Sequence, residues 1–424
     1  MKEYNLDLHL HGNYSAGVSK NMTIPVIAEQ SKIKGLDVVT TNDLVHSKWS
    51  AHVKKNIEEE SNGVYRDLKG NCNFIIGGEL EDNKRIHHLA YLPSLESAEE
   101  LREKVSGYGC LDCSMCGRPH LKLNAEEIAE IVVDVGGIFG PAHAFTPYTG
   151  IFAFFNSLKE AYGSMHSELS FIELGLSADS YFADLIKENH SYSFLSNSDA
   201  HSPWPHRIGR EFNKIKMNKP NFDSLKKALK EKEEKLITKN IGLNPREGKY
   251  HCTACNSCFS KYSLDQAKQL NWRCLKCQGQ IKRGVKDLIN SLANFEKETH
   301  PDFRPEYLHS LPLAEIIQQT VNTKGINTVK VQSKWKDFVE LFENEIEILI
   351  DAKQEELEEV DKEVAKMIIA FRKGLVLYLP GGGGEYGKPI ICESKEDYEN
   401  KKQLFKKELS GISDISNQKI LTQF

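Results

Sequence analysis

Five short apolar runs in the first 201 residues each deliver a carboxylate or an imidazole, and that repeat restricts the chain to folds whose strands open onto one place. The first, Asp7-Leu8-His9-Leu10-His11, alternates polar and apolar residues, which in a strand turns Asp7, His9 and His11 to one face. Leu36 to Asp43 ends in an acid with His46 just beyond, and Phe74 to Glu79 ends in another. Gly137 to His143 delivers an imidazole, and Ser193 to His201 delivers Asp199 and His201. A polar strand face alone is often no more than a solvated face, so it is the recurrence that favours a metal cradle. Helix-like segments, such as Pro25 to Lys34 and Ala125 to Val135, lie between the runs, so strand and helix alternate. Active sites of α/β barrels sit at the carboxyl ends of their strands, which gives these side chains one shared catalytic mouth.

At 424 residues and 40% apolar content the chain has material for two or three domains. It has no run of about 18 apolar residues, and Met1-Lys2-Glu3-Tyr4 lacks the apolar core of a secretory signal, so a cytoplasmic location and no membrane are expected. The net charge of -5 argues against coating nucleic acid by bulk attraction. Residues 249 to 290, however, carry eight Lys or Arg against two Asp, a local patch suited to a polyanion. The acidic balance lies in 340 to 363, with eleven Asp or Glu against two Lys, and reads as a solvated helical face.

Ten cysteines in a chain expected in the cytoplasm read as metal ligands or free thiols before they read as disulfides. Cys255-x-x-Cys258 and Cys274-x-x-Cys277, with 15 residues between them, have the spacing of a four-thiolate zinc ribbon, and Cys252 offers a competing knuckle with Cys255. A closed four-thiolate site leaves no position for water, so its role is structural. Trp272 beside the second knuckle is expected to pack under the ribbon. Cys110, Cys113 and Cys116 form a further cluster, open to zinc with His120 as a fourth ligand, to oxidation, or to no role.

The series His9-x-His11, Asp43, Glu79, His87, His143 and Asp199-x-His201 resembles the PHP phosphoesterases over roughly residues 1 to 215. Gly117-Arg118-Pro119, Asp199-Ala-His201-Ser-Pro203 followed by Ile208-Gly-Arg210-Glu-Phe212, and the run Pro380 to Gly384 narrow the resemblance to the endonuclease Q family, over nearly the whole chain. That resemblance implies an α/β fold: a PHP-type distorted (β/α)7 barrel at 1–240, a four-cysteine zinc module at 241–290 and a helical DNA-binding region at 291–424. It favours Cys255 and Cys258 over Cys252 as zinc ligands, and it departs at Cys110 to Cys116, where the family more often has polar residues.

The resemblance also implies up to three divalent metals, zinc, manganese or magnesium, held by His9, His11, Asp43, His46, Glu79, His87, His143, Asp199 and His201. Asp199, Glu79 and His143 are its catalytic set. The family's histidine after the second strand is displaced here, since Leu44 follows Asp43. His46 is the nearest imidazole, and it can instead serve as a helix cap or a phosphate contact. His87 and His88 face opposite sides of a strand, and His87 is assigned to the mouth. Asp7 is either a ligand or a residue that orients one. Arg207 and Arg210 are candidate phosphate clamps, with surface ion pairing as the competing role.

The reaction that the endonuclease Q resemblance implies is hydrolysis of DNA on the 5′ side of a deaminated base (uracil, hypoxanthine or xanthine) or an abasic site. The partners are such DNA and, by extension, replication or repair proteins. Tyr14, Ser15 and the Phe145 to Phe155 stretch are candidates for base stacking, though aromatic clusters are more often core. Lys324 to Lys330 suggests the glycine turn of a helix-hairpin-helix, and Gly381 to Gly384 suggests close approach to DNA or to the barrel. The competing functions are a PHP-type phosphatase of small monoesters and a DNA-binding scaffold with an inactive barrel.

Overall fold

The computed structural model describes residues 1–412, so residues 413–424 of the expected tail lie outside the described residues. Its centre is a distorted barrel whose strands form two separately hydrogen-bonded sheets around one interior. The strands are Lys2–Asp7, Val38–Thr40, Asn73–Glu81, His87–Leu92, Ile138–Pro141, Phe171–Glu173, Ser193–Leu195 and Phe212–Met217. Leu6, Val38, Ile75, Leu89, Ile138, Phe171, Leu195 and Ile215, one from each of these strands, share a single buried cluster that fills the interior. Their chain neighbours Val39, Phe74, Ile76 and Phe139 belong to a second cluster with Ile27, Leu101, Ile128 and Val132 of the surrounding helices. The period-two alternation of each strand thus separates barrel interior from helix layer.

Lys2–Asp7, Val38–Thr40 and Asn73–Glu81 pair in parallel, as alternating strands and helices require. His87–Leu92 departs from that pattern and runs antiparallel to Asn73–Glu81. Asp82 explains the reversal. Its Oδ1 accepts the N–H groups of Lys84 and Ile86, both at 2.8 Å, which closes a turn too short for a crossover helix. The hairpin sets Glu81 opposite His87, so acids at one strand's end meet an imidazole at the next strand's start. The first strand ends at Asp7, earlier than the alternation suggests. Residues 8–11 continue beyond it, with Leu10 bridged to Ala200 and His11 N–H donating to Ala200 O at 3.1 Å.

The cysteine module is small. Ala254–Cys255 pairs with Ile281–Lys282, helix Leu264–Gln269 packs across them, and the buried set is Cys255, Tyr262, Ala267, Cys274 and Ile281, with Trp272 packed against it. The chain then returns to the barrel, where Glu306–His309 pairs with Ile237–Gly242. The helical region begins at Leu313 and includes Leu313–Thr320, Val329–Phe342, Gln354–Val360 and Lys362–Arg372 around a core of its own. Gly325 lies in the turn between the first two of these helices. Lys34 of the barrel's first helix and Glu345 form a buried ion pair at 2.7 Å, and Glu345 also accepts Leu313 N–H and Trp335 Nε1–H, which ties the two parts together.

Pro380 to Gly384 forms the tip of the hairpin Val376–Leu379/Lys388–Ile391. It approaches neither the barrel nor open solvent but the cysteine module: Cys252 N–H donates to Gly381 O at 3.0 Å, and Gly384 N–H donates to Lys249 O at 2.9 Å. Gly383 has φ +69°, and a Cβ there would overlap the Cys255 carbonyl, so backbone contact requires glycine. Among the described residues, no helix is long and apolar enough to cross a membrane.

Glu211 is fully buried, with Oε1 accepting Leu243 N–H at 3.0 Å and Oε2 unpartnered. Burial, only partly offset by the Leu243 bond and Arg210, pushes its carboxyl from 4.5 up to about 8. The folded chain therefore holds a proton that the unfolded chain releases between about 4.5 and about 8, and stability falls as pH rises through that window. Glu211→Gln is neutral throughout. It is expected to lose less melting temperature than the natural chain between about pH 6 and about pH 9, with a gap of about 3 °C or more in parallel thermal melts.

Candidate metal centre

Asp43, His143 and Asp199 sit just past strand ends with φ of +58°, +29° and +46°, conformations rare for non-glycine residues and concentrated at functional sites. The turns they make aim their side chains into the barrel mouth. Two groups of ligand atoms meet there, His9, His11 and Asp199 in one and Glu79, His87 and His143 in the other, each with its atoms within 4.8 Å of one another. Glu79 joins the groups: its Oε1 lies 2.9 Å from His87, 3.3 Å from His143 and 3.6 Å from His9, and its Oε2 lies 3.3 Å from His11.

Each of the four imidazoles has one nitrogen tied to an outer partner and the other aimed at the centre. His9 Nδ1 lies 3.0 Å from both oxygens of Glu173, His11 Nδ1 lies 3.2 Å from Asp43, His87 Nε2 lies 3.2 Å from Glu81, and His143 Nδ1 lies 3.4 Å from Thr149 Oγ1. A carboxylate can only accept, so Glu173, Asp43 and Glu81 fix the outer nitrogen of three of these rings as the proton carrier and leave the inner one a lone-pair donor. His9 Nε2 is such a donor, fully buried and without a hydrogen-bond partner. Inward lone pairs and carboxylates packed at 3 to 4 Å fit a divalent cation, which satisfies all of them at once.

The electrostatics agree with that fit. Burial acts to raise the Glu79 carboxyl, but His87, Arg118 and His9 outweigh it and hold the group well below the carboxylate range. Burial acts to lower His11, yet Asp43 and Asp199 lift it to about 9. The cluster thus draws positive charge to its centre, a role a divalent ion fills without protonated imidazoles.

The remaining expected residues fall around this centre. Asp43 accepts Gly12 N–H at 2.7 Å and Ser15 Oγ–H at 2.8 Å as well as contacting His11, so it braces the first strand's end. His46 is outside both ligand groups; it caps helix Ser47–Asn56 by accepting Trp49 N–H at 3.5 Å and stacks on Tyr14 at 4.7 Å. His201 packs edge-on to His11 at 4.7 Å, with Nδ1 2.9 Å from Asp199 O. His88 turns away from the mouth to Tyr162 Oη at 2.8 Å. Asp7 accepts Ser198 N–H at 3.1 Å and Gly209 N–H at 2.9 Å, which holds the Asp199 loop in place.

Arg210 donates through Nε and Nη2 to Ser198 O, at 3.1 and 3.0 Å, and braces that loop from the other side, while both Arg207 and Arg210 line the mouth. Phe145 and Phe152 are buried and stacked on each other, whereas Phe155 is partly buried against the core, Phe154 is exposed and Tyr148 reaches the mouth.

Sequence reasoning missed Glu173 and Glu81, and it quoted Arg118 only within the motif Gly117-Arg118-Pro119, without a role. Besides orienting His9, Glu173 accepts His143 N–H and Asn197 Nδ2–H, each at 2.7 Å. It ends the run Phe171-Ile172-Glu173, the same apolar-to-acid signal that marked the other strands. Arg118, from an irregular loop, reaches Glu79 at 3.1 Å. Glu173→Gln is expected to weaken divalent-metal binding roughly 10- to 100-fold, as loss of an orienting partner does, read by calorimetric titration of the metal-free protein.

The mouth is a cavity of about 460 Å³ to which several parts of the chain contribute: His87, Arg118, His143, Asp199 and Tyr148 from the barrel, Lys249 and Tyr250 just ahead of the module's first cysteine, and Tyr386 from the hairpin. Tyr148 and Tyr250 meet edge to face at 5.4 Å, and Lys282 of the module lies 4.9 Å over the Tyr148 ring. In the module, Cys255, Cys258, Cys274 and Cys277 gather their sulfurs within 4.8 Å, and Cys252 lies outside the set. Cys110 and Cys113 form a disulfide, while His120 contacts Glu81 at 2.9 Å in place of the cysteines.

Residues 312–375 match the family model described as the MJ0043 C-terminal domain. The uncharacterized protein MJ0043 of Methanocaldococcus jannaschii is 46% identical over 267 residues, 62% of this chain; the match spans 33% of that protein's length. The uncharacterized protein YqxK of Bacillus subtilis is 30% identical over 418 residues, 92% of this chain and 99% of its own length. Among solved structures, the lesion-specific endonuclease PfuEndoQ of Pyrococcus furiosus superposes with a TM-score of 0.86 at 44% identity, covering 94% of this chain and 99% of that one. Endonuclease Q in complex with a 27-mer duplex bearing an abasic lesion superposes with a TM-score of 0.87 at 44% identity, covering 94% and 98%. Similarity at 44% identity thus extends over 94% of the chain, from the barrel through the cysteine module and into the helical region. The chain belongs to the endonuclease Q family.

Proposed function

We propose that this chain is a DNA repair endonuclease that hydrolyses the phosphodiester bond on the 5′ side of a deaminated base or an abasic site. The observation that carries the reading is the pair of ligand groups joined by Glu79 at the floor of a mouth lined by Arg118, Arg207 and Lys249. Kinship with a lesion-specific endonuclease across 94% of the chain supports it. In this reading His9, His11 and Asp199 hold one divalent ion, Glu79, His87 and His143 hold a second, and His201 completes the shell. Bound there, divalent metals supply a hydroxide nucleophile at neutral pH and positive charge for the phosphate oxygens.

The chain's own residues do the rest. Glu173, Asp43 and Glu81 hold the imidazoles in the tautomers that present inner lone pairs. Arg118 and Arg207 meet the backbone phosphates on either side of the scissile bond. Tyr148, Tyr250 and Tyr386 exclude water around an extruded nucleotide, which leaves the stack more cheaply when mispaired or baseless. The division into barrel at 1–240, zinc module at 241–290 and helical DNA-binding region from 291 onward is part of the same proposal, and the module's basic surface serves duplex flanking the lesion.

End-labelled duplexes with a single uracil, hypoxanthine or abasic site, set against an undamaged control in manganese or magnesium, test the reading. A nick immediately 5′ to the lesion supports it. Intact DNA with release of phosphate from small monoesters would move the assignment to a phosphatase.

A further inference from the structure

The proposed function leaves Cys110, Cys113 and Cys116 without a role. The other cysteines are accounted for: four gather in the module, and Cys72, Cys252 and Cys392 are buried free thiols. Cys110 and Cys113 are joined in a disulfide with both residues exposed, and Cys116 is a half-buried free thiol three residues on. A chain that keeps its other eight cysteines out of disulfides is suited to reducing surroundings, where an exposed disulfide is labile and responsive rather than a permanent staple. With a sequence separation of 3 it closes a very short loop, so chain entropy gives it little stabilising role.

Its position gives it consequence. From Cys110 to Pro119 the chain is a strap without helix or sheet strand. Asp112 pairs with Arg102 at 2.6 Å and accepts Ser47 N–H at 2.8 Å, which anchors the strap at the helix capped by His46. Cys116 N–H donates to Cys113 O at 3.2 Å, and Gly117 N–H donates to Tyr14 O at 3.2 Å. A Cβ on Gly117 would lie 3.0 Å from Asp43 Oδ2, so the strap presses directly on the acid that orients His11. The next residue, Arg118, carries the ion pair to Glu79.

We infer that Cys110 and Cys113 are a thiol–disulfide exchange site through which the surrounding thiol balance sets the position of Gly117 and Arg118 over the metal centre. In the oxidising direction one cysteine thiolate attacks a low-molecular-weight disulfide, forming a mixed disulfide and releasing one small thiol. The second thiolate displaces the other small thiol and closes the Cys110–Cys113 bond. The protein gives up two protons and two electrons, and the small disulfide becomes two thiols. Excess thiol reverses both steps and frees the strap. The inference rests on the nuclease reading only for its effect on activity.

The test equilibrates the full-length protein in glutathione buffers of graded disulfide content. Alkylation with iodoacetamide and peptide mass spectrometry read the three thiols, amide hydrogen exchange over 109–120 reads the strap, and nicking of a uracil duplex reads function. As disulfide content rises, alkylation of Cys110 and Cys113 is expected to fall together, strap amides to exchange severalfold more slowly and nicking to rise severalfold. The Cys110→Ser/Cys113→Ser double variant should hold the reduced-state values at every ratio, with unchanged melting and module zinc. Cysteines that stay alkylatable in every buffer, zinc bound at Cys110 to Cys116, strap exchange independent of thiol state, or a double variant that responds like the natural chain would each overturn the inference. Normal alkylation and exchange responses with no nicking in any buffer would support the exchange site and contradict the nuclease reading.

Discussion

Glu79→Gln is expected to lower lesion-dependent nicking by roughly three orders of magnitude while leaving DNA binding in place. Among the described residues, Glu79 is the side chain that contacts His9, His11, His87 and His143 together, and it also balances Arg118. A neutral amide at this buried position removes the charge that joins the two ligand groups and turns an N–H₂ toward inward lone pairs. Metal charge stabilisation in such hydrolyses amounts to several kcal/mol, and about 1.4 kcal/mol corresponds to a tenfold rate change, which sets the size of the effect. Single-turnover nicking beside a gel-shift titration with the same duplex checks it. A variant within tenfold of the natural rate would show that the cleavage chemistry lies elsewhere.

Cys274→Ser is expected to lose the module's structural zinc and, with it, most affinity for lesion-bearing DNA. The four sulfurs stand as close pairs, Cys255 with Cys277 and Cys258 with Cys274, each at 3.5 Å, and Tyr262 Oη lies 3.0 Å from Cys274 Sγ. The module's buried set is too small to hold a fold by apolar burial, whereas structural zinc contributes on the order of 10 kcal/mol to such units. Its loss would reach the mouth, because Lys282 stands over Tyr148 and the hairpin carrying Tyr386 is bonded to the backbone at Cys252. Elemental analysis, circular dichroism and a gel shift together check this: zinc lost, barrel signal retained, affinity reduced. Unchanged zinc content would sink the four-cysteine assignment.

The barrel was legible in the sequence because five of its apolar runs end in acids or imidazoles; His9, Glu79, His143 and Asp199 come from such runs and meet at one end. The same signal in Phe171-Ile172-Glu173 was overlooked although Val38–Thr40 and Ser193–Leu195 are just as short, because Asp43 is followed by His46 and Asp199 by His201, whereas Glu173 has no imidazole near it in sequence. The antiparallel turn before His87 was hidden for another reason. It depends on one side chain, Asp82, bonding to its own backbone, a local choice that hydrophobic periodicity does not report.

Arg118 comes from a strap with no periodicity at all, and the pairing of Cys110 with Cys113 is one of several states that x2 spacing permits. Gly381 to Gly384 signalled close backbone approach, but only the fold reveals the cysteine module as the surface approached. His46 shows the limit of proximity in sequence: three residues from Asp43, it is drawn instead to the free N–H groups at the start of a helix.

Whether a metal centre at the barrel mouth cuts DNA beside a lesion is measured by nicking of a uracil-bearing duplex by protein stripped with chelator and then titrated with manganese, beside His9→Ala treated identically. The expected result is no nicking after stripping, recovery of a single cut 5′ to the uracil in the natural chain as metal is restored, and no recovery in His9→Ala. Cutting by the stripped protein, or equal recovery in the variant, would contradict it.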